Sequence, residues 1–88
     1  MKVEFLSKFV KDLDKINVVH VKKTVIRTIE LVESVHELSE IPNLKKLKGH
    51  KSAFRIKIGD YRIGIFVRGK TIEMARVVHR KDIYEVFP

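Results

Sequence analysis

Arg55, Lys57 and Arg62 stand close together in an alternating stretch, Phe54-Arg55-Ile56-Lys57-Ile58-Gly59-Asp60-Tyr61-Arg62-Ile63-Gly64. Gly59-Asp60 reads as a two-residue hairpin turn, with glycine at the first central position suiting type II′. That turn sets Ile58 opposite Tyr61, Lys57 opposite Arg62, Ile56 opposite Ile63 and Arg55 opposite Gly64. Phe54, Ile56, Ile58, Tyr61, Ile63, Ile65 and Val67 then share one face, and the three cations share the other. Like charges facing each other across strands cost up to ~1 kcal/mol. Local conflicts of this kind concentrate at functional sites, here one suited to a polyanion. Gly64 leaves the sheet bare beside Arg55, with room for a bulky anion to reach the backbone.

Phosphodiester cleavage in RNA is the chemistry such residues permit. One group takes a proton from the 2′-hydroxyl, cations stabilise charge on the phosphate oxygens, and another group protonates the leaving oxygen. A lysine crowded by cations gives up its proton more readily, which is how lysine serves as a base. An aromatic ring such as that of Tyr84 can stack on an unstacked base or orient the phosphate. Other chemistries lack their residues. There is no cysteine, hence no disulfide and no thiolate, and the four histidines (His20, His36, His50, His79) are scattered. Of these His79 alone has a candidate role. Neither a metal-ligand cluster nor a glycine-rich phosphate loop nor a serine elbow is present, so neither metal nor cofactor is expected.

The elements that must hold these residues follow from periodicity. Val3 and Phe5 alternate with Lys2 and Glu4 as a short strand. Ser7 is expected to cap a helix carrying Phe9, Val10, Leu13 and Ile16, which Asn17 breaks. A longer helix is expected from Val19 to Leu38, its stripe made by Val21, Val25, Ile29 and Val32. So short a break makes the two helices an antiparallel pair whose apolar faces need a sheet. Ser39 to Ser52, with Pro42, Gly49 and four lysines, reads as a basic connector in which Lys48 and Lys51 are candidate RNA contacts. Beyond it Phe54–Ile58, Tyr61–Val67 and Thr71–Val78 form a three-strand meander, with a second tight turn at Gly69-Lys70. Unbroken pairing through that turn adds Glu73, Ala75, Val77 and His79 to the cationic face. Arg76 then falls inward, unless it snorkels or a bulge turns it out. Lys81 to Phe87 closes the chain as one or two helical turns. The class is α+β: a strand and helical hairpin on a mainly antiparallel sheet, with residues 1–88 forming one domain.

Charge is uneven. Met1 to Leu44 holds seven basic and seven acidic residues, Lys45 to Pro88 twelve and four, so the second half carries the whole net charge of +8. One electropositive surface follows, suited to nucleic acid, anionic lipid or an acidic partner. At 44% hydrophobic the chain is too apolar for disorder, and no run nears the roughly 18 residues that cross a bilayer. With no secretion signal, a cytoplasmic protein without membrane contact is expected.

Leu47-Lys48-Gly49, the Arg55-to-Arg62 hairpin and the terminal Val78-His79-Arg80-Lys81-Asp82-Ile83-Tyr84 together resemble the RelE/ParE superfamily of toxins from toxin–antitoxin pairs. The order of elements matches over essentially the whole chain. The RelE-like branch of that resemblance implies an mRNA interferase that enters the ribosomal A site and cuts the exposed codon without metal. It implies Arg55 and Lys57 at the two basic strand positions, with Lys57 as base, and Arg62 stabilising the transition state. Arg80 would bind phosphate or assist the leaving group, and Tyr84 would stack on or orient the substrate. His79 would be a candidate general acid or base. A cognate RelB-like antitoxin, acidic and partly disordered, would neutralise the basic face, and the pair would bind operator DNA mainly through it. Two other readings stay open: a ParE-like toxin that inhibits DNA gyrase and cuts nothing, and an inactive RNA-binding relative. The last rests on arginine at 55, where the fullest basic sets carry lysine.

Overall fold

A computed structural model describes residues 1–88. The alternating amino terminus forms β1 (Lys2–Phe5), followed by α1 (Ser7–Lys15) and α2 (Val19–Ser34). After a 3-10 turn at Leu38–Glu40 come β2 (Leu44–Lys46), β3 (Ala53–Ile58), β4 (Tyr61–Arg68), β5 (Thr71–His79) and α3 (Ile83–Val86). The five strands lie in the order β1-β5-β4-β3-β2. β1 runs parallel to β5, and the other neighbours are antiparallel. No helix is long and apolar enough to cross a membrane.

Both helices cover one face of the sheet. Phe9 and Ile16 from α1 and its end, Val25 and Val32 from α2, and Ile56, Ile63, Ile72, Met74 and Val77 from the strands bury together. A second, smaller cluster forms on the opposite face, where Ala53, Ala75, Ile83 and Phe87 are buried, with Phe66 packed against them. The carboxy-terminal segment thus covers part of the face that bears the cations.

Four sequence expectations change. Ser7 does not cap α1; Leu6 holds the cap position, without a side-chain bond, and Ser7 is the first helical residue. α2 ends at Ser34 and not at Leu38, because Glu40 Oε2 accepts from the backbone N–H groups of His36 and Glu37, each at 2.8 Å. Those bonds stabilise a turn that competes with another helical turn. They also hold the Glu40 carboxyl below its ordinary pKa, the His36 N–H bond contributing most. The basic connector contains β2, whose Leu44 pairs with Ile56.

The fourth change is the register of β5. It pairs without interruption from Arg68↔Thr71 to Ile65↔Met74, but Gly64 pairs with Arg76, leaving Ala75 over as a β-bulge. Beyond the bulge every residue changes sides. Val77 is therefore buried under the helices, Val78 comes opposite Arg62, and His79 comes opposite Tyr61. β1 ends beside Met74, where the Leu6 N–H donates to the Met74 carbonyl at 2.9 Å. Past that point Asp12 of α1 takes over: its Oδ2 accepts from the Val77 N–H at 3.1 Å. The same carboxylate accepts from Arg76 Nε at 2.7 Å and Nη2 at 3.0 Å. A side chain that straight register would bury is thereby satisfied.

Candidate nucleic-acid interface

The hairpin is as its turn residues require. Gly59 sits at φ 60°, where glycine costs least, and the pairs Lys57↔Arg62 and Arg55↔Gly64 form. Arg55, Lys57 and Arg62 therefore lie on the face away from the helices. β2 adds Lys45 directly opposite Arg55. These four cations, with Asn43 and Leu44, line an open cavity of about 380 Å³. None of the four meets a carboxylate: the chain's ion pairs are Lys2–Glu4, Arg68–Glu73, Arg76–Asp12 and Arg80–Asp60. Four uncompensated cations around one cleft form an anion site, since only a ligand or salt is left to neutralise them.

Two of these side chains are held in place. Arg62 Nη1 donates to the carbonyl oxygens of Gly59 at 2.8 Å and Tyr61 at 2.9 Å, leaving its Nε and Nη2 without protein partners. Arg55 Nη1 donates to Tyr84 Oη at 2.6 Å, with the guanidinium carbon 5.2 Å from the ring centroid. Tyr84 is carried by α3 and is 74% exposed. The Arg55 hydrogen bond, then the Arg55 charge, pushes the phenol below its ordinary pKa, with Lys45 and Arg62 acting in the same direction. A tyrosine aligned by a neighbouring arginine presents an open ring face, the arrangement on which bases stack.

The remaining expected residues are dispersed around this centre. Lys48 lines an adjoining cavity with Arg55 and Tyr84. Lys51 is exposed in the loop before β3 and lines neither cavity. Arg80 stands at the hairpin turn, its N–H donating to the Asp60 carbonyl at 2.7 Å. Its Nε is 3.9 Å from Asp60 Oδ1, too long for a hydrogen bond, and the side chain is 59% exposed. His79 does not join the cationic face. The bulge turns it beside Tyr61, where the two rings meet edge-on with centroids 5.5 Å apart. Its Nδ1 accepts from the Lys81 N–H at 3.2 Å, so it faces a cavity between α2 and the hairpin turn. Arg76 is likewise absent from the cleft, engaged by Asp12.

Gly64 was expected to admit an anion, but the Phe87 ring occupies that space. A Cβ built on Gly64 would stand 2.5 Å from Phe87 Cγ. Phe87 is 6% exposed and packs at a tilt of 50° against Phe66, with centroids 5.0 Å apart. Gly64 thus permits the approach of a ring from the same chain. Lys45 and Asn43 are the cleft residues that sequence reasoning missed. Their only signal was the inward Leu44 beside an outward Lys45, too short a run to mark a strand.

The fold has known counterparts. Residues 3–84 match the family model described as the ParE toxin of the type II toxin–antitoxin system, parDE. The chain belongs to the RelE/ParE superfamily of type II toxins. Within it the chain is 44% identical to Toxin RelE3 of Methanocaldococcus jannaschii, over all of both chains. It also resembles a chain of the RelB–RelE antitoxin–toxin complex from Methanococcus jannaschii, at 41% identity and a TM-score of 0.81. That match covers 97% of this chain and 99% of the other. The fold alone is shared with a chain of the Pyrococcus horikoshii RelE–RelB complex, at 22% identity and a TM-score of 0.72. There the match covers 90% of this chain and 93% of the other. Relatives named RelE and a family model described as ParE thus meet in one superfamily.

Proposed function

We propose that this toxin is an endoribonuclease that cuts mRNA in the ribosomal A site. The observation that carries the reading is the cleft of Lys45, Arg55, Lys57 and Arg62, unpaired with any carboxylate and adjoined by the ring of Tyr84. A phosphodiester brings the missing negative charge and a base for the ring.

The proposed reaction is a transesterification. The 2′-oxygen bonds to the adjacent phosphorus as the bond to the 5′-oxygen breaks, leaving a cyclic phosphate. Lys57 takes the 2′-hydroxyl proton. Arg62 uses its free Nε and Nη2 to stabilise charge on the non-bridging oxygens, a role worth several kcal/mol for a preorganised donor. Arg80, exposed at the hairpin turn, stabilises the departing 5′-oxygen, which takes its proton from water, and Tyr84 orients the nucleotide. Arg55 and Lys48 bind flanking phosphate, with Lys51 an outer contact. His79 takes no proton in this scheme, because it faces the other side of the sheet. Neither metal nor cofactor takes part in any step.

An acidic, RelB-like antitoxin is the proposed inhibitor, since a partner that covers the cleft must supply carboxylates. RelB partners of the similar proteins support this choice. Operator DNA would be bound by the pair, chiefly through the antitoxin. Gyrase inhibition has the family model's description in its favour, but leaves the four-cation cleft without a purpose.

Growth arrest tests the assignment. Arg62→Ala abolishes arrest with the fold intact, and Lys57→Ala and Tyr84→Ala weaken it strongly. Lys23→Ala, on the exposed side of α2, does not. Full toxicity of Arg62→Ala contradicts the assignment, and gyrase supercoiling lost in the presence of the protein selects the alternative.

A further inference from the structure

Asn43 lines the cleft but has no part in the reaction above. Pro42-Asn43 makes the turn into β2, and Asn43 takes it at φ 62°. The other residues with positive φ are glycines, Gly49, Gly59 and Gly69, and none of these lines the cationic cleft. Positive φ costs asparagine less than most side chains but more than glycine. The turn alone is therefore served at least as well by glycine. What asparagine adds is an exposed amide at the cleft, free of hydrogen bonds within the protein.

The sheet sets that amide beside one residue in particular. Leu44 of β2 lies opposite Ile56 of β3, so Asn43 comes opposite Lys57, whose N–H donates to the Asn43 carbonyl at 3.2 Å. Lys57 in turn faces Arg62. Asn43, Lys57 and Arg62 thus form one row across three strands, with Lys45 and Arg55 in the next row. Among the residues that line the cleft, Asn43 is the one neutral hydrogen-bonding side chain. Four cations already answer a phosphate, and an uncharged amide adds little to that attraction. It suits an uncharged part of the nucleotide. The uncharged group that must lie beside Lys57 is the hydroxyl whose proton Lys57 takes.

Resting on the RNA reading above, we propose that Asn43 binds the ribose 2′-oxygen at the cut position and fixes it for attack. A hydroxyl oxygen has one hydrogen and two lone pairs. The hydrogen points to Lys57 Nζ, one lone pair faces the phosphorus, and the other accepts from Asn43 Nδ2. With all three engaged the hydroxyl no longer rotates, and the attacking pair stays in line. The bond from the Lys57 N–H to the Asn43 carbonyl keeps the amide and the base at a fixed spacing. A deoxyribose offers this amide no partner.

Cutting and binding on programmed ribosomes test this with Asn43→Gly, which keeps the backbone turn and removes the amide. Its unfolding stability is expected to equal or exceed that of the unaltered protein. On unmodified mRNA its kcat falls about tenfold, as the loss of one neutral hydrogen bond provides. An mRNA with 2′-deoxyribose at the cut position cannot be cleaved, and the two proteins are expected to bind it equally. Asn43→Asp, alike in shape but without the donor, cuts no better than Asn43→Gly. Equal cutting by Asn43→Gly and the unaltered protein overturns the inference. Weaker binding of the deoxy mRNA by the variant also overturns it, by placing the amide on another group. A loss of stability in Asn43→Gly does so too, by assigning the residue to the turn. Absence of any cutting by the unaltered protein removes the RNA reading as well.

Discussion

Arg55 and Tyr84 set the chemistry available at the surface of the sheet. The guanidinium bond favours the phenolate, so Tyr84 ionises below the ordinary tyrosine value near 10. The sign follows from linkage: a pKa lowered on folding adds stability that is fully present above the unfolded value and disappears as pH falls through the folded one. Spectrophotometric titration is therefore expected to show Tyr84 ionising below the ordinary tyrosine range, and Arg55→Met to move that transition upward. A Tyr84 transition that Arg55→Met leaves in place would show that the pair is not formed in solution. The cations themselves were legible in the sequence, since a two-residue turn fixes cross-strand pairs without reference to the rest of the fold. Lys45 was not, because a three-residue edge strand has too little alternation to stand out and gains its place by pairing with β3.

At the scale of elements, β5 and the carboxy-terminal segment decide which residues reach the cleft. The bulge at Ala75 moves His79 away and is held by one buried carboxylate, Asp12, 9% exposed, on an arginine 19% exposed. The hydrogen bonds to Asp12 raise the Arg76 pKa against the effect of burial, so the guanidinium keeps its charge. Asp12→Ala strands the guanidinium and the Val77 N–H together, and should cost about 3 kcal/mol in denaturant unfolding. A loss under half a kcal/mol would mean that the bulge does not depend on α1. Arg76, an arginine on the inward side of a straight register, was the sign of a bulge in the sequence, but the carboxylate that holds the bulge lies over 60 residues away at position 12. Gly64 belongs to the same scale. Gly64→Ala forces the Phe87 ring to move and should cost about 1–3 kcal/mol, with toxicity falling further as Tyr84 shifts on α3. Unchanged stability would show that Phe87 leaves Gly64 readily.

The whole molecule separates two duties by face. One side of the sheet is closed by two helices around an aliphatic core, and the other carries a small apolar cluster beside the cations. The +8 charge, concentrated after residue 44, serves the second duty. Fold class, helical hairpin and meander were readable because each rests on local periodicity. The division of the second face was not, since it depends on how the last residues fold back across the sheet. Cleavage of mRNA on programmed ribosomes, read for the unaltered toxin and for Arg62→Ala, tests the central claim most directly. The account predicts a cut in the A-site codon with a cyclic phosphate on the upstream fragment, lost at least 100-fold in the variant, as when one preorganised donor is removed. Intact mRNA with the unaltered toxin, or equal cutting by both proteins, would contradict it.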